Sequence, residues 1–126
     1  MLSFGIQRGF QWIDGSFTEN IEISEKRDPN DIDIVTFYIG LSPKQISDIQ
    51  SSFEEFFNPR LSKTNFNLDH YPADYGYTPE MTVEITRYWI QLFCHNRNSV
   101  WKGMIKLNLP QDNSEEQAAL DYLNSI

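Results

Sequence analysis

The chain has 126 residues, of which 40% are hydrophobic and 14% aromatic, so it has enough apolar side chain for a core and too much for a disordered protein. Its formal net charge of −8 opposes general binding to nucleic acid, whose phosphates are also negative. No apolar run is long enough to span a membrane, and no signal peptide is visible at the N-terminus. Together with the single cysteine, Cys94, this predicts one domain, residues 1–126, in the reducing cytoplasm.

The first predicted elements are two strands separated by a turn and a polar connector. Residues 8–13 alternate apolar with other side chains and predict a first strand, which residues 14–16 (Asp-Gly-Ser) end in a turn. Residues 17–27 fit either a short helix or extended chain, and residues 28–30 (Asp-Pro-Asn) form a turn motif. The β-branched and apolar run of residues 31–38 predicts the second strand.

The middle of the chain predicts a helix followed by a third strand. Ser42 is a typical N-cap, Pro43 suits the first helical position, and Gln45 completes a capping box. We expect this helix to end at Asn58-Pro59. Residues 64–71 alternate again and predict a third strand, followed by a loop over residues 72–79.

The last part of the chain predicts two helices around a fourth strand. Thr78-Pro79 opens a helix whose apolar stripe runs from Met81 to Leu92. The fourth strand is predicted over residues 100–109, and a second capping box, Ser114 with Gln117, opens the final helix. These elements predict an α+β fold, a mixed sheet with helices packed on it.

Two carboxylates stand one residue apart in the second predicted strand. Side chains two apart on a strand point the same way, so Asp31 and Asp33 share one face and Ile32 and Ile34 the other. Their Cα atoms would lie roughly 7 Å apart, given the rise per strand residue, and the ionised carboxylates would repel each other. Two explanations are open. The pair lies on a solvated strand face, where water screens the repulsion, or it binds a divalent cation that neutralises both charges.

Asp69 is the third carboxylate of interest, because its predicted strand face is otherwise polar. If that strand neighbours the second one, Asp31, Asp33 and Asp69 converge at one edge of the sheet. Oxygen ligands of this kind suit Mg²⁺ or Mn²⁺, which bind substrate phosphates in phosphoryl-transfer sites. Asp74 is an alternative third acid, although it falls in the predicted loop.

These residues carry a resemblance to a known superfamily. Gly15-Ser16, a connector, the strand Asp31-Ile32-Asp33-Ile34 and a later Asp69 resemble the nucleotidyltransferases related to DNA polymerase β. The resemblance implies that Gly15 and Ser16 bind the triphosphate of a nucleotide and that Asp31 and Asp33 hold two metal ions. It also implies that Asp69 completes the metal site and activates the acceptor hydroxyl.

A closer resemblance covers residues 9 to about 109. The segments GFQWIDGSF, PNDIDIVTF, YWIQLF and WKGMIKL are similar to a bacterial family of small, uncharacterised nucleotidyltransferase-like proteins. The chain departs from the superfamily pattern in two respects. The 14 residues between Ser16 and Asp31 make a slightly long spacer, and the helix that normally precedes the first strand is absent or shortened. The second departure would leave a sheet face or edge open to a partner or a second copy.

The basic and aromatic residues have both a site and a structural interpretation. Arg87 and Lys102 would neutralise triphosphate charge as a cationic clamp, or else serve solubility and salt bridging at the surface. The group of Phe53, Phe56, Trp89 and Trp101 is expected to be hydrophobic core rather than a platform for stacking bases. Other basic residues that could face a phosphate are Arg27, Arg60, Arg97 and Lys106.

The leading hypothesis is a metal-dependent nucleotidyltransferase that moves a nucleoside monophosphate from an NTP to a hydroxyl. The acceptor would belong to a protein, a small molecule or an RNA end, and long nucleic acid is the acceptor least compatible with the acidic charge. By superfamily resemblance, a toxin–antitoxin or phage-defence setting fits a domain of this size. The alternative is a catalytically inactive domain of the same fold that serves as a binding or interaction module, as a homodimer or in a complex.

Overall fold

The computed structural model describes residues 5–19, 23, 25, 26, 32–109 and 113–126 and confirms an α+β fold. Its four-stranded sheet has the order β3-β2-β1-β4. The strands are β1 (Gly9–Asp14), β2 (Ile32–Tyr38), β3 (Leu68–Asp74) and β4 (Ile105–Leu109). Strand β1 is antiparallel to β2 and β4, and β2 is parallel to β3, so the sheet is mixed as expected.

Four α-helices and two 3₁₀ turns complete the described chain. The helices are α1 (Pro43–Ser52), α2 (Pro59–Phe66), α3 (Pro79–Phe93) and α4 (Asn113–Ser125), and the 3₁₀ turns are Ser16–Thr18 and Glu54–Phe56. Helix α1 begins at the predicted capping box, in which Gln45 N donates to Ser42 Oγ and Ser42 N donates to Gln45 Oε1. Among these described helices, none is both long and apolar enough to cross a membrane.

The prediction of a strand over residues 64–71 was wrong in its first half. Residues 59–66 form α2, and β3 begins only at Leu68. The Asn58 side chain accepts hydrogen bonds from the amides of Arg60 and Leu61 and caps the start of this helix. Asn67 ends it in the left-handed conformation, with φ 57°. Asn-Pro therefore opens a helix here and does not end the first one as predicted, because α1 already ends at Ser52 and a 3₁₀ turn follows at Glu54–Phe56.

Three other boundaries differ from the prediction. Residues 72–74 continue β3 instead of forming a loop, and β3 is an edge strand, where Pro72 can be accommodated without a lost ladder bond. Strand β4 is shorter than predicted, because residues 100–104 are outside it. Trp101, expected in the core, is 75% exposed, and its ring centroid lies 4.0 Å from that of His95. Helix α4 begins one residue before Ser114.

The sheet separates two clusters of apolar side chains. One face, called here the carboxylate face, carries Asp14, Asp33 and Asp69 at the end of three strands and an apolar cluster beyond them. That cluster contains Val35, Phe37 and Ala73 of the sheet with Phe93 of α3. The opposite face, called here the histidine face, carries His70 and packs against the chain between α1 and α2. Its cluster contains Ile6, Tyr38, Ile49 and Phe56.

Candidate functional site

Three aspartates from three neighbouring strands lie side by side on the carboxylate face. In the register of the sheet, Asp14 of β1 is opposite Asp33 of β2, and Asp33 is opposite Asp69 of β3. Residues that are direct partners in a ladder place their side chains on the same face. Asp14 is 3% exposed, and Asp33 and Asp69 are partly buried. The sheet thus brings together two of the predicted carboxylates and adds one that the sequence did not predict.

Burial and neighbouring charge both act on this row. The pKa of Asp33 is raised, first by loss of water around the carboxylate and then by the charges of Asp69 and Asp14. The charge of Lys102 offsets part of this shift. Burial also raises the pKa of Asp14, although a hydrogen bond and an ion pair with Lys102 act in the opposite direction. A cation beside Asp33 and Asp69 would relieve the repulsion that raises the pKa of Asp33.

The predicted Gly-Ser turn directly follows the first of these carboxylates. Gly15 has φ 108°, a conformation that favours glycine, and Ser16 opens the 3₁₀ turn. The Gly15 carbonyl accepts from the amide of Thr18 at 3.1 Å and from its hydroxyl at 2.9 Å. The turn is therefore held closed by its own residues, next to the end of β1.

Lys102 connects the turn to the carboxylate row. Its Nζ lies 2.9 Å from Asp14 Oδ1, and its side chain is only 11% exposed. The same ammonium donates to the Gly15 carbonyl at 3.2 Å and is 3.9 Å from Glu19 Oε2. Glu19 in turn accepts a hydrogen bond from Asn96 Nδ2 at 3.0 Å. Lys102, predicted from sequence as a site residue, thus holds the turn against β1.

Two cavities open on either side of Asp14 and Asp33. The smaller, about 210 Å³, is called here the polar cavity, and its lining includes Gly15, Ser16, Arg97 and Lys102. The larger, about 490 Å³, is called here the aromatic cavity. Besides Asp14 and Asp33, the aromatic cavity is lined by Tyr71 of β3 and by Tyr88, Trp89, Leu92 and Phe93 of α3. Leu92 lines both cavities, so the two adjoin.

The remaining predicted acids are placed differently. Asp69 lines neither of these two cavities, and its Oδ2 lies 3.0 Å from Nζ of Lys63, the last basic residue of α2. Asp31 lies outside the described residues. Within the described part of the chain, no group of three or more His, Cys, Asp or Glu side chains is arranged to hold a metal ion. The alternative third acid, Asp74, lies on the other face of the sheet. Its carboxylate accepts a hydrogen bond from Gly76 N at 2.8 Å, and it pairs in register with Tyr38 of the histidine face.

Arg87 is not part of this cluster. Its guanidinium bonds to Glu84 Oε2 at 3.0 Å and to Gln91 Oε1 at 3.4 Å along the exposed side of α3. It lines neither the polar nor the aromatic cavity. These contacts agree with the interpretation of Arg87 as a surface salt-bridging residue and not with a cationic clamp for a triphosphate.

Sequence reasoning missed three contributions to the site. Asp14 was assigned only to the turn, although the residue before Gly15-Ser16 must lie at the end of β1, beside Asp33, once the two strands pair. Arg97 was noted only as basic. Trp89 was expected in the core, and it does pack against the apolar cluster of the carboxylate face, but it is also partly exposed and lines the aromatic cavity. The helical spacing of Tyr88, Trp89 and Leu92 could not distinguish a cavity wall from a core.

Comparison with known proteins identifies the family but no activity. No curated protein and no solved structure matched the chain. A family model described as a family of unknown function, DUF6932, matches residues 1–108, which includes the Gly-Ser turn, the carboxylate row and both cavities. The chain therefore belongs to the DUF6932 family of unknown function.

Proposed function

We propose that this protein is a metal-dependent nucleotidyltransferase, which moves a nucleoside monophosphate from an NTP to an acceptor hydroxyl. The observation that carries the proposal is the row Asp14–Asp33–Asp69 across three adjacent strands, beside a Gly-Ser turn at positive φ. Two elements that are distant in sequence, the turn after Asp14 and Asp69, both lie beside Asp33, and this placement supports the proposal. The polar cavity of about 210 Å³ lies at this turn and has the basic residues Arg97 and Lys102 in its lining.

The described residues supply two adjacent carboxylates for a hard divalent cation, although no group of three or more such side chains is arranged around one point. Asp33 and Asp69 offer carboxylate oxygens on one face, and burial followed by the charge of Asp69 raises the pKa of Asp33. By the superfamily pattern, Asp31, Asp33 and Asp69 would hold Mg²⁺ or Mn²⁺. The ion would supply charge neutralisation for the phosphates and the leaving pyrophosphate.

The turn and its basic neighbours would bind the triphosphate. Gly15 and Ser16 line the polar cavity, and Arg97 adds a positive charge to its lining. Lys102 Nζ is already committed to Asp14 and Gly15, so its role is to fix the turn and to lower the negative potential near the phosphates. We give no role to Arg87, which bonds to Glu84 and Gln91.

The reaction needs one proton acceptor and one leaving group. The oxygen of the acceptor hydroxyl attacks the α-phosphorus, the bond from that phosphorus to the bridging oxygen of the β-phosphate breaks, and pyrophosphate leaves. Asp69 takes the proton of the hydroxyl, and Lys63 at 3.0 Å holds its carboxylate in place. The acceptor is a hydroxyl of a protein, a small molecule or an RNA end. A protein acceptor of this kind would be the toxin of a toxin–antitoxin or phage-defence system.

One observation favours a second candidate, a nucleotide-binding module without turnover. Asp69 is ion-paired to Lys63 and Asp14 to Lys102, so two of the three carboxylates already have a cationic partner. Such a module would bind NTP at the turn and act as a homodimer or in a complex. Its nucleotide binding would not be accompanied by release of pyrophosphate.

The test is label transfer from α-labelled NTPs. The protein is incubated with each of the four NTPs, Mg²⁺ or Mn²⁺, and cell extract as the source of acceptors, beside Asp33→Asn and the control Asp74→Asn. We expect label on an acceptor with the wild type and Asp74→Asn and none with Asp33→Asn. Metal-dependent NTP binding without label transfer would favour the binding module. Absence of both would rule out the nucleotidyltransferase proposal.

A further inference from the structure

We propose that the aromatic cavity binds the base of the nucleotide by stacking and that the protein therefore prefers purine to pyrimidine nucleotides. This inference rests on the proposed function for the position of the phosphates, at the Gly-Ser turn. It adds a second site on the protein for another part of the same ligand. The residues of this second site are not included in the superfamily pattern. The residues that define it are Tyr71, Tyr88 and Trp89.

The walls of the cavity are a group of aromatic rings in contact. The ring centroids of Tyr71 and Trp89 are 5.1 Å apart, and those of Tyr88 and Trp89 are 5.0 Å apart. Trp89 also lies 5.3 Å from Phe93, which is buried in the cluster beneath. This last contact holds one wall of the cavity rigidly on the sheet, as a stacking platform requires.

The apolar residues that line the aromatic cavity are more exposed to solvent than core side chains are. Tyr71 is 38% exposed, Tyr88 51% and Leu92 49%, although all three line one concave surface. A cavity of about 490 Å³ lies within the range of small-molecule binding sites. A flat apolar group that filled it would remove these side chains from water without any change of fold.

The connection to the polar cavity selects a nucleotide as the occupant. Asp14, Asp33 and Leu92 line both cavities, so one ligand can extend from the Gly-Ser turn across Asp33 to Trp89. The polar cavity offers groups for phosphates, and the aromatic cavity offers faces for a ring. A nucleotide has these two parts at its two ends, with the sugar and the α-phosphate between them.

The lining also predicts how the base is selected. Among its described residues, the aromatic cavity includes no amide or guanidinium group, and its carboxylates lie at the end that adjoins the polar cavity. Its other polar groups are the hydroxyls of Tyr71 and Tyr88, which can both donate and accept and so do not distinguish one base edge from another. Selection then depends on stacking area, which is larger for the two fused rings of a purine than for one pyrimidine ring. We expect ATP and GTP to bind similarly, and both more tightly than CTP and UTP.

The test is calorimetric titration of the whole protein with ATP, CTP and inorganic tripolyphosphate in the presence of Mg²⁺. Tyr88→Leu, on an exposed part of the wall, and Trp89→Leu should each weaken ATP binding by about 5- to 150-fold, as expected for loss of one stacking partner. Both variants should bind tripolyphosphate as the wild type does. Tyr77→Leu, which replaces a tyrosine that is 75% exposed and lines neither cavity, is the matched control.

The outcomes separate this inference from the proposed function. Purine preference that is lost in Tyr88→Leu supports the base site, whether or not the wild type transfers label. Equal binding of ATP, CTP and tripolyphosphate, or ATP binding unchanged in both Tyr88→Leu and Trp89→Leu, would overturn it even if label transfer is observed. A folded Tyr88→Leu keeps the test decisive if Trp89→Leu does not fold.

Discussion

The two faces of the sheet both carry polar side chains, but they use them differently. On the histidine face, Gln11 Nε2 donates to Thr36 Oγ1 at 3.0 Å, and this hydroxyl shares a 2.7 Å hydrogen bond with His70 Nε2. Thr36 is fully buried and His70 is 6% exposed. On the carboxylate face, Asp33 lies between two other acids of the same charge and beside open cavities.

The difference indicates which polar residues are structural. A buried network of neutral donors and acceptors satisfies itself and fixes the packing of the helices beneath it. Adjacent carboxylates do the opposite, since their repulsion costs stability unless a cation neutralises it. The proposed function thus places ligand binding on the carboxylate face and leaves the histidine face a structural role, and the following experiments test that division.

The largest expected effect is the loss of nucleotidyl transfer in Asp33→Asn. The substitution removes one of two adjacent metal ligands, and metal ions contribute several kcal/mol to transition states of this kind, so we expect transfer to fall by about a thousandfold or more. Stability should not fall, because a charge next to Asp69 and Asp14 is lost. Single-turnover kinetics and urea unfolding measure the two quantities. Transfer by Asp33→Asn at the wild-type rate would contradict the proposed role of the carboxylate face in catalysis.

The next largest effect is expected on stability from Lys102→Met. The change leaves Asp14 buried without its partner at 2.9 Å, and breaking such a pair costs about 3–5 kcal/mol. Adding Asp14→Asn to this variant should restore part of the loss, which a double-mutant cycle in urea detects. Lys63→Met is the control, since Lys63 is 41% exposed and a surface pair contributes at most about 1 kcal/mol. Equal losses in both lysine variants would contradict the structural role of Lys102.

On the histidine face we expect a pH effect of up to about 3 kcal/mol. Burial lowers the pKa of His70 from its ordinary value of 6.5 to about 4, so between these pH values the unfolded chain binds a proton that the folded protein does not. Stability should therefore fall as the pH falls from 6.5 to 4. Unfolding measured across this range should show a weaker decline in His70→Gln. An identical decline in the variant would mean that other groups cause it.

The smallest effect is expected from Gly15→Ala, about 1–3 kcal/mol, because a side chain at φ 108° is strained. ATP binding should weaken as well if the turn holds phosphates. Gly103→Ala is the control, since an added Cβ there meets no atom within 4 Å. Thermal unfolding and calorimetry compare the two variants. Equal behaviour of both would show that the geometry of the turn is unimportant.

Local sequence patterns predicted the parts of the fold that depend on neighbouring residues. The capping box at Ser42 and the N-cap Thr78 were found because each cap contacts an amide three residues ahead. Asn58-Pro59 was misinterpreted because the same dipeptide can end one helix or begin the next. Only the hydrogen bonds from Arg60 and Leu61 to the Asn58 side chain decide between these alternatives.

The site depends on contacts that no local pattern contains. Asp33 and Asp69 were predicted to converge only on the condition that their strands are neighbours, and the parallel pairing of β2 and β3 meets it. The ion pair of Lys102 with Asp14 joins opposite ends of the chain, so sequence could suggest a basic site residue but not its partner. The aromatic cavity likewise needs β3 and α3 to lie side by side.

The central claim is that the carboxylate face binds a metal–nucleotide complex, and calorimetry of ATP binding with and without Mn²⁺ tests it most directly. The account predicts that Mn²⁺ strengthens ATP binding by at least about tenfold, or 1.4 kcal/mol, in the wild type and in Asp74→Asn. It predicts no such gain in Asp33→Asn. The same gain in Asp33→Asn as in the wild type, or no effect of Mn²⁺ on ATP binding by the wild type, would contradict it.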